Sequence, residues 1–228
     1  MRIDKYLADM NYGTRSQVKD LIKKKMVKVN GEVVRSSSLS VSEKDTVEVD
    51  GQKVSYVELE YYLLNKPAGY LSATEDRHDP VVMELVHSQR KDLYPVGRLD
   101  KDTEGLLIIC NDGDLTHRLL SPKYHVDKKY YAELDKPLPE NAKELLEAPM
   151  DLGDFITKGS TFEKINDTSA YLTISEGKFH QVRRMFEKVG CTVTYLKRVS
   201  FAFLNLEGLE IGECRKLSEE EVERLKNL

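Results

Sequence analysis

The sequence predicts an α+β protein in two parts: a small helix-and-hairpin unit over residues 1–58, and a larger unit over 59–228 with a mixed or antiparallel sheet and a central cleft. Three observations carry this. Two short helical periodicities are followed by two turn-centred alternations, all before residue 58. Strand signals after Tyr61 are spaced irregularly, without the regular strand–helix alternation of a parallel α/β fold. Midway along the chain, a polar loop with Gly97 and Gly105 runs into Leu106-Leu107-Ile108-Ile109-Cys110, an apolar run closed by Asn111-Asp112-Gly113 and so a buried strand.

In the first part, Ile3, Tyr6, Leu7 and Met10 recur at helical spacing, and Thr14 or Ser16 can cap a second helix with Val18, Leu21 and Ile22 on its apolar side. Val27, Val29 and Val33 alternate about Asn30-Gly31, the strongest short hairpin signal, and Val47, Val49 and Val54 alternate about Asp50-Gly51. Residues 1–28 hold eight Lys/Arg (Arg2, Lys5, Arg15, Lys19, Lys23, Lys24, Lys25, Lys28) against three Asp, a net +5 on a chain whose formal charge is -4. Lys19 and Lys23 are i,i+4 neighbours on a face away from the apolar side, where a phosphate backbone could lie. Most such runs are simply solvated helix faces.

The larger part opens with the strand Tyr61-Tyr62-Leu63-Leu64 and a Lys66-Pro67-Ala68-Gly69 turn. In the central loop Arg98 and Asp100, two apart, point the same way if the chain is extended there. Leu115–Leu120 reads as helix and Lys128–Leu134 as a strand carrying Tyr130, which on its own would be taken for a core aromatic. The stretch 137–155 reads as a surface excursion. After the strand Tyr171–Ile174, the positions Phe179, Val182, Phe186 and Val189 form an apolar helical stripe capped at Gly190. Arg183 falls at the edge of that stripe and Arg184 away from it. An arginine at an apolar edge is expensive without an anion, and Asp100 is the candidate. Ser218 and Glu221 form a capping box ahead of a last short helix. Acids outnumber bases seven to four from Glu207 onward, so that end is expected to face away from an anionic partner.

At 228 residues the chain buries a sizeable core without staples. Cys110, Cys191 and Cys214 are odd in number and widely spaced, which supports neither a disulfide framework nor a metal knuckle and points to a reduced, cytoplasmic setting. No apolar run nears the roughly 18 residues of a membrane span, and the N-terminus lacks signal-peptide features. No membrane association and a monomer are expected. The five histidines show no HxH or HxxxH spacing, so no metal is expected, and no dinucleotide fingerprint or Walker loop argues for a cofactor.

Gly97-Arg98-Leu99-Asp100, with Thr103 and Gly105-Leu106-Leu107, resembles the signature of the RsuA family of ribosomal RNA pseudouridine synthases. The Lys-Pro-x-Gly turn, the Lys128-x-Tyr130 pair and Gln181-x-Arg183 fall on further motifs of that family, in order, and residues 1–58 are similar to an S4-like RNA-binding domain. The resemblance implies an isomerase without cofactor, acting on ribosomal RNA or an assembly intermediate and by size the small-subunit (16S) RNA, with the same reaction on 23S RNA as the alternative. It implies Asp100 as the catalytic carboxylate, either attacking the sugar or removing a proton from it, paired with Arg183. Tyr130 would stack on the flipped base and Arg98 would fill the gap it leaves. Arg2, Arg15, Lys19, Lys23, Lys24 and Lys28 would hold the RNA backbone. Two other readings compete: a non-catalytic RNA-binding or ribosome-assembly protein, and a glycoside hydrolase using Asp100 with Glu104.

Overall fold

The computed structural model describes residues 1–42, 44–88 and 90–228. They fall into two units: Met1–Glu60 with His87–Leu93, and Tyr61–Val86 with Tyr94–Leu228.

In the first unit, helix α1 (Ile3–Asp9) precedes α2 (Arg15–Lys23). Thr14 caps α2 in a box with Gln17: the Gln17 amide donates to Thr14 Oγ1 at 3.3 Å, and the Thr14 amide to Gln17 Oε1 at 2.7 Å. Four short strands follow, β1 (Val27–Val29), β2 (Glu32–Val33), β3 (Val47–Val49) and β4 (Gln52–Val54), antiparallel in the order β2-β1-β3-β4. Both hairpin turns hold two consecutive residues at positive φ, Asn30-Gly31 at 53° and 83° and Asp50-Gly51 at 52° and 76°. That backbone twist matches the flanking strands, which is why Asn-Gly and Asp-Gly stand there. The helices bury Ile3, Tyr6, Leu7, Met10, Val18 and Ile22 against Val27, Val47, Val49 and Val54. His87–Leu93 joins this unit through Arg90, whose buried guanidinium bonds Asp92 and donates to the Val57 carbonyl at 2.6 Å.

The second unit is built on a mixed sheet. Its strands are β5 (Tyr61–Lys66), β6 (Tyr94–Pro95), β7 (Glu104–Cys110), β8 (Lys128–Leu134), β9 (Thr161–Asn166), β10 (Ser169–Ile174), β11 (Val193–Phe201), β12 (Leu204–Asn205) and β13 (Cys214–Lys216). The main order is β13-β5-β7-β11-β8-β10-β9, with β6 alongside β7 and β12 alongside β11. Every pairing is antiparallel except β7 with β11, which run parallel at Glu104↔Lys197 and Gly105↔Arg198. Strand β7 lies mid-sheet, and Leu106–Cys110 are fully buried, as a continuous apolar run requires.

Helix α3 (Gly113–Leu120), capped by the Asp112 carboxylate on the Leu115 amide at 3.0 Å, covers the core of Leu63, Leu106, Ile108 and Phe201 through Leu115 and Leu119, and α6 (Glu219–Lys226) adds Leu225. Helix α4 (Ala142–Glu147) packs on β9 and buries Ala142 and Leu146. The stretch 137–155 is therefore no mere surface excursion, since Leu138 and Leu152 are buried as well. Helix α5 (Gln181–Lys188) packs on β11 through Val182, Met185 and Phe186. Phe179, expected on that apolar stripe, precedes the helix and is 74% exposed, because His180 turns the chain through a left-handed φ of 49° just before α5 begins. No helix among the described residues is long and apolar enough to cross a membrane.

Gly105 is where the parallel pair closes. Its φ is +106°, and a Cβ there would sit 2.2 Å from the Arg198 carbonyl oxygen. Gly105→Ala is expected to lower stability by at least about 2 kcal/mol in urea denaturation, from strain and displaced backbone together. Gly51→Ala meets open space at a similar positive φ, so its cost should stay near about 1 kcal/mol.

Candidate active site

The loop between β6 and β7 is fastened from beneath. Lys66, the last residue of β5, is fully buried. Its ammonium, with three N–H donors shared among four acceptors, lies within hydrogen-bond distance of the carbonyls of Thr103 at 2.7 Å, Pro67 and Asp100 at 3.1 Å and Lys101 at 3.2 Å. Burial pushes Lys66 down to about 8, opposed by the carboxylates of Asp102, Asp100 and Glu104. Ser72 adds a two-way clasp on Leu99, its hydroxyl donating to the carbonyl at 2.9 Å and accepting from the amide at 3.0 Å. The Leu99 side chain is buried, so the next residue, Asp100, presents its carboxylate outward with 31% of the side chain exposed. Lys66 thus belongs to the loop's scaffold and is out of reach of an RNA phosphate.

The turn into α5 supplies the facing wall. Gln181, buried, accepts from the Lys178 amide at 3.1 Å and donates to the Glu176 carboxylate at 2.9 Å, which fixes residues 176–180. His180 Nε2 then lies 3.5 Å from Asp100 Oδ1, and its ring stacks on Phe179 with centroids 3.8 Å apart. Arg183 Nε lies 3.8 Å from Asp100 Oδ2, an ion-pair distance. The hydrogen bonds of that guanidinium go elsewhere: Nη2 donates to Asp102 at 2.9 Å and to Thr103 Oγ1 at 3.4 Å, and Nη1 to the Val193 carbonyl at 3.3 Å. Arg183 therefore lies at the ion-pair distance from Asp100 expected from the sequence, and it is hydrogen-bonded to a second carboxylate, Asp102, as well. Asp102 is the nearer partner and sits in the turn that the Thr103 amide closes on the Asp100 carbonyl. Arg184 points away and binds Asp154 and the Leu152 carbonyl.

One pocket gathers Arg98, Asp100, Tyr130 and Arg183 on its lining, with Leu99, Val182 and Leu196 among its apolar members. Arg98 is exposed and Tyr130 is buried, its hydroxyl 3.5 Å from Arg198 Nη1. The basic candidates of the first unit, Arg15, Lys19, Lys23, Lys24 and Lys28, are all exposed, and Lys23 is 3.5 Å from Asp20. Arg2 is less free, since its guanidinium holds the buried Asp4 at 2.7 Å and thereby keeps that carboxyl below its ordinary range. Glu104 does not line the pocket. Its carboxylate accepts from the Tyr195 hydroxyl at 2.6 Å.

Sequence reasoning passes over Arg198, and it gives His180 an RNA-phosphate or structural role with no place beside Asp100. A signal for the first exists: Leu196 and Arg198 are two apart on a strand, and a charge on the buried side of an alternation marks something to be explained. For His180, nothing local announces a left-handed residue or its approach to Asp100.

Residues 60–188 match the RNA pseudouridylate synthase family, and residues 1–47 match the S4 domain. The chain is 42% identical to a Bacillus subtilis protein named ribosomal large subunit pseudouridine synthase B, over 100% of this chain and 96% of that one. It is 37% identical to the ribosomal small subunit pseudouridine synthase A of Haemophilus influenzae, over 99% of both. A crystal structure of a pseudouridylate synthase is similar with a TM-score of 0.70 and 36% identity, over 99% of both chains.

Lys66→Met keeps the length of the side chain and removes the donor. Four carbonyls would lose their partner, so a loss of about 2–4 kcal/mol is expected in urea denaturation. Amide exchange in residues 99–103 should accelerate beyond that of β7; unchanged exchange there would mean that Ser72 and Leu99 hold the loop unaided.

Proposed function

Because the chain belongs to the RNA pseudouridylate synthase family, we propose that it isomerises a uridine of ribosomal RNA to pseudouridine, with Asp100 as the carboxylate that acts on the sugar. The observation that carries this is the pocket itself. A partly exposed carboxylate on a rigidly fastened loop faces a recess walled by Tyr130 and apolar side chains, with a guanidinium at ion-pair distance. Pseudouridine formation cuts the N1–C1′ bond of uridine, turns the base and rejoins it through C5. It needs one ionised carboxylate at the sugar and a slot for an extruded base, and it is redox-neutral. Asp100 attacks C1′ or removes a sugar proton, and either route uses the same position. Tyr130 stacks against the base, Arg183 keeps a positive charge beside the carboxylate, and exposed Arg98 takes the stacking position the base vacates.

Ribosomal RNA is proposed on the names of both relatives, one for each subunit, together with the S4 match and its basic face. The expectation of 16S RNA rests on chain length. Length does not discriminate, since the large-subunit relative is matched over 96% of its own extent. The glycoside-hydrolase reading loses its second carboxylate, because Glu104 is engaged by Tyr195 and lies off the pocket.

Asp100→Asn is expected to abolish pseudouridine formation on rRNA transcripts while the melting temperature and RNA affinity stay close to wild type. Asp167→Asn, paired with Lys164 on an exposed turn, serves as the control at normal rate. A folded Asp100→Asn protein that still isomerised uridine would falsify the assignment. Mapping pseudouridines in 16S and 23S RNA from cells with and without the protein identifies the site.

The first unit is proposed to anchor RNA by charge. Replacing Lys23, Lys24 and Lys25 by Gln should weaken binding and reduce the slope of log K against log salt by about 0.7–0.9 for each phosphate no longer neutralised. An unaltered slope would reduce these lysines to a solvated face.

A further inference from the structure

Arg198 is a buried cation for which the proposed roles leave no use. It is 2% exposed and lies on the lining of the same pocket. Its Nε donates to the Leu106 carbonyl at 2.7 Å, its Nη1 is 3.5 Å from the Tyr130 hydroxyl, and its Nη2 is buried without a hydrogen-bond partner. Among the described residues no carboxylate lies within ion-pair distance of it. Lys128, also buried on the pocket lining, gives its ammonium to the Val126 carbonyl at 2.9 Å, and burial pushes it down to about 8. The two cations approach one phenyl ring, Lys128 Nζ at 5.1 Å and Arg198 Cζ at 5.2 Å from the Phe201 centroid. Buried charge of one sign, with a donor left over, is costly and calls for an acceptor.

What fits is set by the walls. Tyr130 with Leu99, Ile174, Val182 and Leu196 supplies the apolar part of a lining that also carries Asp100, Arg183 and Arg198, a mixture suited to a flat ring with polar edges. A phosphodiester would have to shed its hydration to enter, and the exposed Arg98 and Lys178 at the rim serve phosphate better.

We propose that Arg198 is the uracil-recognition residue of this site, its free Nη2 donating to a carbonyl oxygen of the extruded base and its charge stabilising the base while it is detached. This rests on the function proposed above. When the C1′–N1 bond breaks, its electron pair leaves on the base and spreads from N1 to O2 and O4. C1′ is then held by an Asp100 oxygen, or Asp100 has taken the C2′ proton to leave a glycal. The anion turns and C5 bonds to C1′, with release of Asp100 or return of the C2′ proton. The C5 proton is then lost and N1 gains one, so nothing is oxidised or reduced. Positive charge at the carbonyl edge acts throughout the detached interval, when the negative charge is greatest.

The test uses the full-length protein and rRNA fragments ligated to carry uridine, 2-thiouridine or 4-thiouridine at the mapped position. Sulfur is a poorer acceptor than oxygen, so at one of the two positions it should slow the wild-type single-turnover rate. Arg198→Met should bind the uridine RNA within about twofold of wild type, react about 100-fold slower or worse, and show no sulfur effect. If Arg198→Met fails to melt as a folded protein, Arg198→Lys carries the comparison: it keeps the charge, loses the fork, and should also lose the sulfur effect. Equal sulfur effects in wild type and a folded variant, or none in wild type, would remove Arg198 from the base. Weakened RNA binding with undiminished chemistry would place a phosphate there instead. A wild type inert on both rRNAs would sink the functional reading itself, and this inference with it.

Discussion

The site depends first on one buried ammonium. Lys66 ends a central strand, and its four carbonyl partners include three from the loop that carries Asp100. A loop of that length in water would sample many conformers, and a carboxylate on it would be poorly aimed. Fastening the backbone rather than the side chain leaves the carboxylate open to a ligand while fixing where it is. The energetic tension is visible in Lys66 itself, whose burial disfavours the charge that its carbonyl partners and nearby carboxylates favour.

Arg183 shows the same economy of position. One guanidinium offers Nε to Asp100 at 3.8 Å while its Nη2 is held by Asp102 at 2.9 Å. Because the hydrogen bond goes to the residue two positions away, the arginine is oriented without occupying the Asp100 oxygens. Asp102 is thereby a positioning residue for the arginine and not a bystander on the loop.

Much of the fold is legible in the sequence because the relevant forces are local. Asn30-Gly31 and Asp50-Gly51 announce their hairpins through positive φ, Thr14 its helix through a capping box, and Leu106–Cys110 a strand buried on both faces. The residues of the pocket are marked by motifs, and the structure brings Arg98, Asp100, Tyr130 and Arg183 to one lining. What is not legible is long-range or conformational. Phe179 has the spacing of a core residue, yet a left-handed His180 ejects it. The return of His87–Leu93 to the first unit rests on Arg90 reaching the Val57 carbonyl, which no periodicity reveals. Leu138 and Leu152 read as surface because prolines and acids surround them, yet both are buried.

The parallel pairing of β7 with β11 carries a consequence for biosynthesis. Gly105 and Arg198 meet across most of the second unit's sequence, so the pocket is absent from any nascent chain whose residues near 198 are still inside the ribosomal tunnel. The first unit's helices and hairpins close over far shorter loops and can form as they emerge. An RNA-handling surface would then be exposed to the translating ribosome well before the chain has anything with which to modify RNA, and activity would begin only after translation has passed the last strand of the pocket.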